Sequence, residues 1–317
     1  MHTDFGRVVI SNNSELENID TVTRTCHHPW FRLTDNPKLD ARSFCESVCY
    51  RERLDLEVSG NKEDCGCPGG KVNPKTIHTF RNCKTMYGTI VLTNLANHSD
   101  LSALQNLTKL QGNLVVYKTN LTDLSFLENL IEIHASSFRN PFIIDIQQNQ
   151  NLKRLGFKSL RILDDLMQDP SVPPVLPVNL RDLHPDFCIT VEEMYILMFF
   201  DVQFGGLDAN YCPSSLKSGR LLGDGPKLCV FESIKSLEDD CVLVRGEILI
   251  GSGDEDYVGK LRQVTHIFGS LTVQNTRLED VGFLENLRKV AALNVSLPTM
   301  QFKLNRKLQN LQFPNIR

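Results

Sequence analysis

No stretch of this chain stays apolar for long. The best run, Met194–Phe200, is seven residues flanked by Glu192, Glu193 and Asp201, against the roughly 20 apolar residues a membrane helix needs. The first residues, Met1 to Ser11, hold no apolar segment of leader length. A basic stripe is also missing: 34 Lys and Arg are interspersed with 38 Asp and Glu for a net charge of −4, which argues against nucleic acid or an anionic membrane as partner. Gly-x-Ser-x-Gly, His-Glu-x-x-His and kinase signatures are all lacking, so no enzyme class is read and no cofactor is expected. The glycines of Gly251-SGDED are followed by acids where a phosphate would sit, with no Lys-Ser/Thr. Its Asp254, Glu255 and Asp256 lack the alternation and closing Glu of a calcium loop, so a solvated loop is expected there.

Cysteine, by contrast, is plentiful. Ten cysteines in 317 residues is an even count that indicates disulfides and an oxidising compartment. Five Asn-x-Ser/Thr sequons, at Asn12, Asn97, Asn106, Asn120 and Asn294, agree with that compartment, each a candidate glycosylation acceptor. An extracellular chain, secreted or at the cell surface, is expected. The rival is zinc, held by Cys45-x-x-x-Cys49 and Cys65-x-Cys67, with Cys26 beside His27 and His28. Structural zinc favours C-x-x-C knuckles in a reducing compartment, so disulfides are preferred and no metal is expected.

The strongest signal is internal repetition. CKTMYGTIVL from Cys83 parallels CVLVRGEILI from Cys241, each with Gly five residues after Cys. GNLVVYKTNLTDLSFLENL from Gly112 parallels GSLTVQNTRLEDVGFLENL from Gly269. IDIQQNQNLKRLGF from Ile144 parallels MQFKLNRKLQNLQF from Met300, with Asn149 on Asn305 and Leu152 on Leu308. A shorter period lies inside: two apolar residues alternate, an Asn or Thr follows, then a Leu, as in Leu114, Val116, Thr119, Leu121. The alternating pair suits a short strand with one buried face, and the Asn or Thr a corner where its side chain satisfies backbone groups. Coils of about 25 residues stacked this way form a parallel β-solenoid, because no single coil buries its apolar face alone.

This pattern of Cys…Gly-x-apolar-x-apolar, Gly-x-Leu-x-Val, Phe-Leu-x-Asn-Leu and Asn-x-x-Leu resembles the receptor L domain of the insulin and EGF receptor family. Asp186-Phe187-Cys188 with Glu192 and Glu193 is similar to the nematode receptor L-domain proteins that have no kinase. The resemblance covers most of the chain, but no furin-like cysteine-rich module lies between the L domains and no kinase segment is present. It implies a mostly β fold with short helices: tandem right-handed, leucine-rich-repeat-like parallel β-solenoids. It also implies a protein or peptide ligand, insulin-like or growth-factor-like.

Val8, Ile10, Asn13 and Leu16 match Ile144, Ile146, Asn149 and Leu152 at an offset of 136. Phe31, Leu33, Asn36 and Phe44-Cys45 match Pro174, Leu176, Asn179 and Phe187-Cys188 at an offset of 143. The expected organisation is therefore 1–45 as the C-terminal coils of a truncated L domain and 46–82 as a Cys-containing linker. A complete L domain follows at 83–188. Then come a linker at 189–240, whose short helix carries Met194, Leu197 and Met198 on one face, and an L domain lacking its last coil at 241–317. The chain is expected to be part of a longer one carrying the signal peptide; whether that has a membrane anchor is open.

Cys67–Cys83 and Cys229–Cys241 are expected as short-range bridges ahead of each first strand, and Cys188–Cys212 in the second linker. Cys26, Cys45, Cys49 and Cys65 allow three connectivities, of which Cys26–Cys45 with Cys49–Cys65 is preferred.

Alternation points Ile90, Leu92, Leu114, Val116, Ile144 and Ile146 inward and Val91, Val115, Tyr117 and Ile143 outward. The outward set is the candidate ligand face; the alternative is that the interdomain linker covers it. Its counterparts in the last domain, Leu249, Thr272, Gln274 and Gln301, are more polar. The function expected is extracellular ligand binding or sequestration, modulating peptide-hormone or growth-factor signalling without catalysis. The alternative is a structural or cell-surface interaction protein with no peptide ligand.

Overall fold

A computed structural model of the chain describes residues 7–19, 30–46, 55–135, 141–165, 176–213, 219–221, 223–293 and 298–316. The molecule is mostly β and divides into two units, Met1–Cys188 with Phe199–Asp208, and Ile189–Met198 with Ala209–Arg317.

The first unit opens with β1 (Arg7–Ser11), β2 (Trp30–Thr34), helix α1 (Arg42–Glu46) and β3 (Asp55–Ser59). β1, β2 and β3 pair in parallel, so the first sheet continues past residue 45. Then come β4 (Cys67–Val72), β5 (Thr85–Thr93), β6 (Lys109–Gln111), β7 (Leu114–Tyr117), β8 (Glu132–Ala135), β9 (Ile144–Asn149), β10 (Ile162–Asp165) and β11 (Leu176–Leu183). β12 (Cys188–Ile189) spans the sequence boundary between units, helix α2 (Val191–Phe199) follows, and β13 (Val202–Leu207) returns to the first unit. One curled parallel sheet runs β10-β8-β6-β5-β7-β9-β11-β13, with β4 also on β5.

The curl follows from one long strand and its glycines. Thr85–Tyr87 of β5 pair with β6, while Ile90–Thr93 pair with β7. Between them Gly88 has φ +98, a left-handed conformation open mainly to glycine. A Cβ on Gly112, in the next turn, would strike the Gly88 backbone. Gly246 and Gly269 repeat this contact in the second unit. The glycines of the repeat are therefore where the sheet bends and successive turns touch backbone to backbone.

The concave side is apolar. Met86, Ile90, Leu92, Leu110, Leu114, Val116, Ile133, Ile144, Ile146, Leu163, Val178 and Leu180 are all buried. The last of the face strands, β11, runs from Leu176 to Leu183. Its alignment at an offset of 143 is out of register. Asn179, matched there to the corner residue Asn36, lies in mid-strand opposite Asp145.

Corners are built from amides. Fully buried Asn149 donates Nδ2–H to Val116 O at 2.9 Å and Gln147 O at 2.8 Å. Its Oδ1 accepts from Thr119 N at 2.9 Å and Thr119 Oγ1 at 2.8 Å. Asn305 does the same with Val273 O and Thr276. Asn36 reaches back to Ile10 O and Asn13, and Asn61 to Leu33 O and Asn36. Each corner residue thus ties its turn to the one before. The FLENL segment makes a second such ladder: Phe126, Leu127 and Leu130 are buried while Asn129 donates to Gln105 O, and Asn286 donates to Arg262 O.

The second unit contains β14 (Asn210–Tyr211), β15 (Gly219–Arg220), β16 (Lys227–Val230), β17 (Leu243–Arg245), β18 (Ile248–Ile250), β19 (His266–Phe268), β20 (Leu271–Gln274), β21 (Lys289–Val290) and β22 (Met300–Lys303). β15 to β22 form sheets β15-β16-β17-β19-β21 and β18-β20-β22. Helix α2 begins with a capping box: Glu193 N donates to Thr190 Oγ1 and Thr190 N to Glu193 Oε2. Its Met194, Leu197 and Met198 are buried. It rests on the sheet, with Tyr195 edge-on to His266 at 5.3 Å and Lys289 Nζ donating to Met198 O.

Three disulfides staple these turns, Cys45–Cys65, Cys67–Cys83 and Cys229–Cys241, with Cα atoms 5.5, 5.8 and 5.8 Å apart. Cys188 and Cys212 are disulfide-bonded too. The Cys45–Cys65 bond replaces both preferred pairings of the N-terminal four, Cys26–Cys45 and Cys49–Cys65. Asp40 on one side of the bridge pairs with Glu63 on the other, so α1 and the turn after β3 lie together. Cys26 and Cys49 lie outside the described residues. With Cys45 bonded to Cys65 and Cys67 to Cys83, Cys45, Cys65 and Cys67 have no thiolate to offer zinc.

Candidate ligand-binding face

On the outward side of the curled sheet, Lys71, Val91, Val115, Asp145 and Asn179 lie in one row across β4, β5, β7, β9 and β11. The next row holds Tyr117, Gln147 and Arg181. Val91, Val115 and Tyr117 are partly exposed, and Lys71 and Arg181 are exposed. Lys118 Nζ lies 4.8 Å from the Tyr117 ring centroid, a cation–π contact that steadies the ring. Strand stiffness comes from the β-branched valines, whose side chains pack across neighbouring strands.

Ile143 does not belong to this face: it is fully buried. Alternation holds only within a strand, and β9 starts at Ile144. Ile143 sits in the bend before it, its amide bonded to Pro177 O and its carbonyl to Leu114 N. The same parity that suggested Ile143 brings Asp145 and Gln147 outward, and a search for apolar residues alone passes over them. Arg181 escapes the sequence reading because the match of Asn179 to the corner residue Asn36 ends the strand before it, whereas Asn179 lies in mid-strand.

The face grades from apolar to polar. Asp145, only 7% exposed, accepts Asn179 Nδ2–H at 2.7 Å and Gln147 Nε2–H at 3.1 and 3.2 Å. Two neutral amides thus hold a carboxylate beside the valines. The corresponding row in the second unit is Leu249, Thr272 and Gln301, with Gln274 in the row beyond; Leu249 is 51% exposed.

The sequon residues Asn12, Asn97, Asn106 and Asn120 are exposed, while Asn294 lies outside the described residues. Asn120 follows Tyr117 by three positions and donates its backbone N–H to Leu95 O. Asn97 and Thr122, members of two different sequons, are bonded on adjacent turns: Thr122 N donates to Asn97 Oδ1 at 3.1 Å.

In the Gly251 loop, Asp254 Oδ2 accepts from Gly251 N, Glu255 Oε2 from Gly253 N, and Glu255 Oε1 from Arg277 N of the next turn. These carboxylates serve the loop's own backbone, and the Arg277 and Gly253 amides hold Glu255 below the usual carboxylate range. Among the described residues, no group of three His, Cys, Asp or Glu side chains converges on a metal position. None of the described helices is long and apolar enough to cross a membrane.

Residues 82–172 and 240–317, more than half of the chain, match the Receptor L domain family. The chain is also 24% identical over 277 residues to Protein irld-34 of Caenorhabditis elegans. That alignment covers 80% of this chain and 64% of that protein, so the chain spans less than two-thirds of the relative's length. With its curled parallel sheets, glycine bends and amide corners in two successive copies, the chain belongs to the Receptor L domain family, a family of ligand-binding rather than catalytic domains.

Proposed function

We propose that this chain is an extracellular binding module that takes a protein or peptide ligand on the outward sheet face at Val91, Val115 and Tyr117. The observation that carries the reading is the partly exposed Val91–Val115 row with Tyr117 beside it, on a rigid parallel sheet. An anchored aromatic next to an apolar strip, rimmed by Lys71, Gln147 and Arg181, has the make-up of a protein-binding patch. Disulfide bonding of all eight described cysteines supports an oxidising, extracellular setting. Within this reading the turns wind as a right-handed solenoid, the hand that parallel β-crossovers overwhelmingly take. The resemblance to the insulin and EGF receptor L domains supports insulin-like or growth-factor-like peptides as the ligand class, which the module captures without passing on a catalytic signal.

The test is a binding assay of the secreted chain against insulin-like and EGF-like peptides. Tyr117→Ala is expected to weaken capture by more than about 1 kcal/mol, or roughly fivefold. Val115→Asp is expected to weaken it as much while leaving the melting temperature in place, since the charge stays in water. Unchanged capture by both variants, or unfolding by Val115→Asp, overturns the assignment of the face.

A further inference from the structure

The flank of the first unit's sheet, formed by β6, β8 and β10, carries an ionic cluster that the ligand face does not use. His134 on β8 is bonded at both ring nitrogens. Nδ1 lies 2.9 and 3.0 Å from the two carboxylate oxygens of Asp164 on β10, and Nε2 lies 2.9 Å from Glu132 Oε2 on β8 itself. Lys109 Nζ of β6 lies 3.2 Å from the same Glu132 oxygen. His134 and Asp164 face each other across the ladder, as do Tyr87 of β5 and Gln111 of β6. Asp165, the remaining charged residue of β10, lies on the opposite parity, opposite Ala135.

We propose that His134 is a pH-operated latch that docks edge strand β10 when its imidazole is doubly protonated and loosens it when one proton leaves. A neutral imidazole has one N–H and one lone pair. With a carboxylate at each nitrogen, only the imidazolium can donate to both; the neutral ring turns a lone pair toward Asp164 or Glu132. β10 is poorly placed to absorb that loss. It is four residues long, pairs with β8 on one side, and among the described strands ends the order of the sheet. Of its side chains Leu163 is buried, whereas Ile162 is 37% exposed.

The charge balance around the ring favours the imidazolium. Asp164 acts most strongly and Glu132 adds to it, against burial and the Lys109 charge, so His134 titrates above the ordinary histidine value. The docking contribution is therefore complete below about pH 6.5 and is lost as pH rises through the raised value. At the repeat-equivalent position the second unit has Ala291, so the latch belongs to the first unit alone.

The experiment is hydrogen–deuterium exchange of the whole chain between pH 6 and pH 8.5, corrected for intrinsic exchange rates. Protection of the β10 amides is expected to fall about tenfold across that range, the loss of one charged hydrogen bond. His134→Gln, which does not titrate, is expected to flatten the change. A pH-independent β10 in the native chain, or the same slope in His134→Gln, overturns the latch. Asp164→Asn gives a second reading through the imidazole NMR titration of His134. Its midpoint is expected to drop toward the ordinary value, and an unmoved midpoint overturns the proposal.

Discussion

At the scale of single residues, the fold depends on side chains that stand in for missing backbone partners. Asn149 is the clearest case, with four hydrogen bonds from one buried carboxamide to the preceding turn and its own strand end. Removing it leaves Val116 O, Gln147 O and the Thr119 donors without that partner in a closed interior, where each orphan costs about 1–3 kcal/mol. Asn149→Ala is expected to destabilise the chain by about 3 kcal/mol, read as a lower urea midpoint. The residue before each corner is a second regularity. Asn12, Asp35, Lys118, Gln148, Asn275 and Leu304 all have φ between 50 and 58. Asn and Asp tolerate this left-handed region, but Leu304 does so at a cost, and with 70% exposure it gains little burial in return. Leu304→Gly is expected to raise stability by about 1 kcal/mol; a lower melting temperature would show that the exposed leucine makes a contact of its own.

At the scale of elements, helix α2 on the second unit's sheet is the sensitive contact. It lies over His266, which is 9% exposed and whose Nδ1 meets Thr265 Oγ1 at 2.9 Å. Burial first, then the charges of Lys289 and Arg288, push this histidine down to about 4. A depressed histidine favours the fold above its unfolded value near 6.5 and loses that contribution as pH falls toward 4. The second unit is expected to lose on the order of 2–3 kcal/mol between pH 6.5 and 4. His266→Phe should flatten that acid limb of the melting curve; an equally steep limb would place the acid sensitivity elsewhere. The strands that carry two inward apolar residues were legible in the sequence, because their alternation repeats at nearly constant offset. β3 and β13 were not. β13 reads VQFGGL, and an irregularity at Val178/Asn179 leaves Gly205 unpaired and breaks the alternation. Ile143 was misread for the complementary reason: parity was extended one residue beyond the strand that enforces it.

At the scale of the whole molecule, the missed strands complete a pattern that runs through the chain at an offset of 147. Leu33 precedes Leu180 by that interval, Asn61 precedes Asp208, and Cys65 precedes Cys212. The structure gives these pairs like roles. β3 adds to β2 as β13 adds to β11. Asn61 accepts from the backbone of Asn36, and Asp208 from that of Asp182, one position short of the 147 offset. The rung after Leu33 and the rung after Leu180 are thus the same closing turn, and each ends in a bonded cysteine. Equivalence of Cys45 with Cys188 was visible from the Phe-Cys pairs, but without the 147-residue offset nothing tied Cys65 to Cys212, and Cys45 was matched to the wrong partner. Nonreducing peptide mapping is expected to recover Cys45 joined to Cys65 and no Cys26–Cys45 peptide. Because the bond closes a loop of 20 residues, Cys45→Ser/Cys65→Ser is expected to cost about 3 kcal/mol through a freer unfolded chain. A Cys26–Cys45 crosslink in the map would break the equivalence of the two closing turns and, with it, the reading of residues before β4 as an earlier copy of the same domain end.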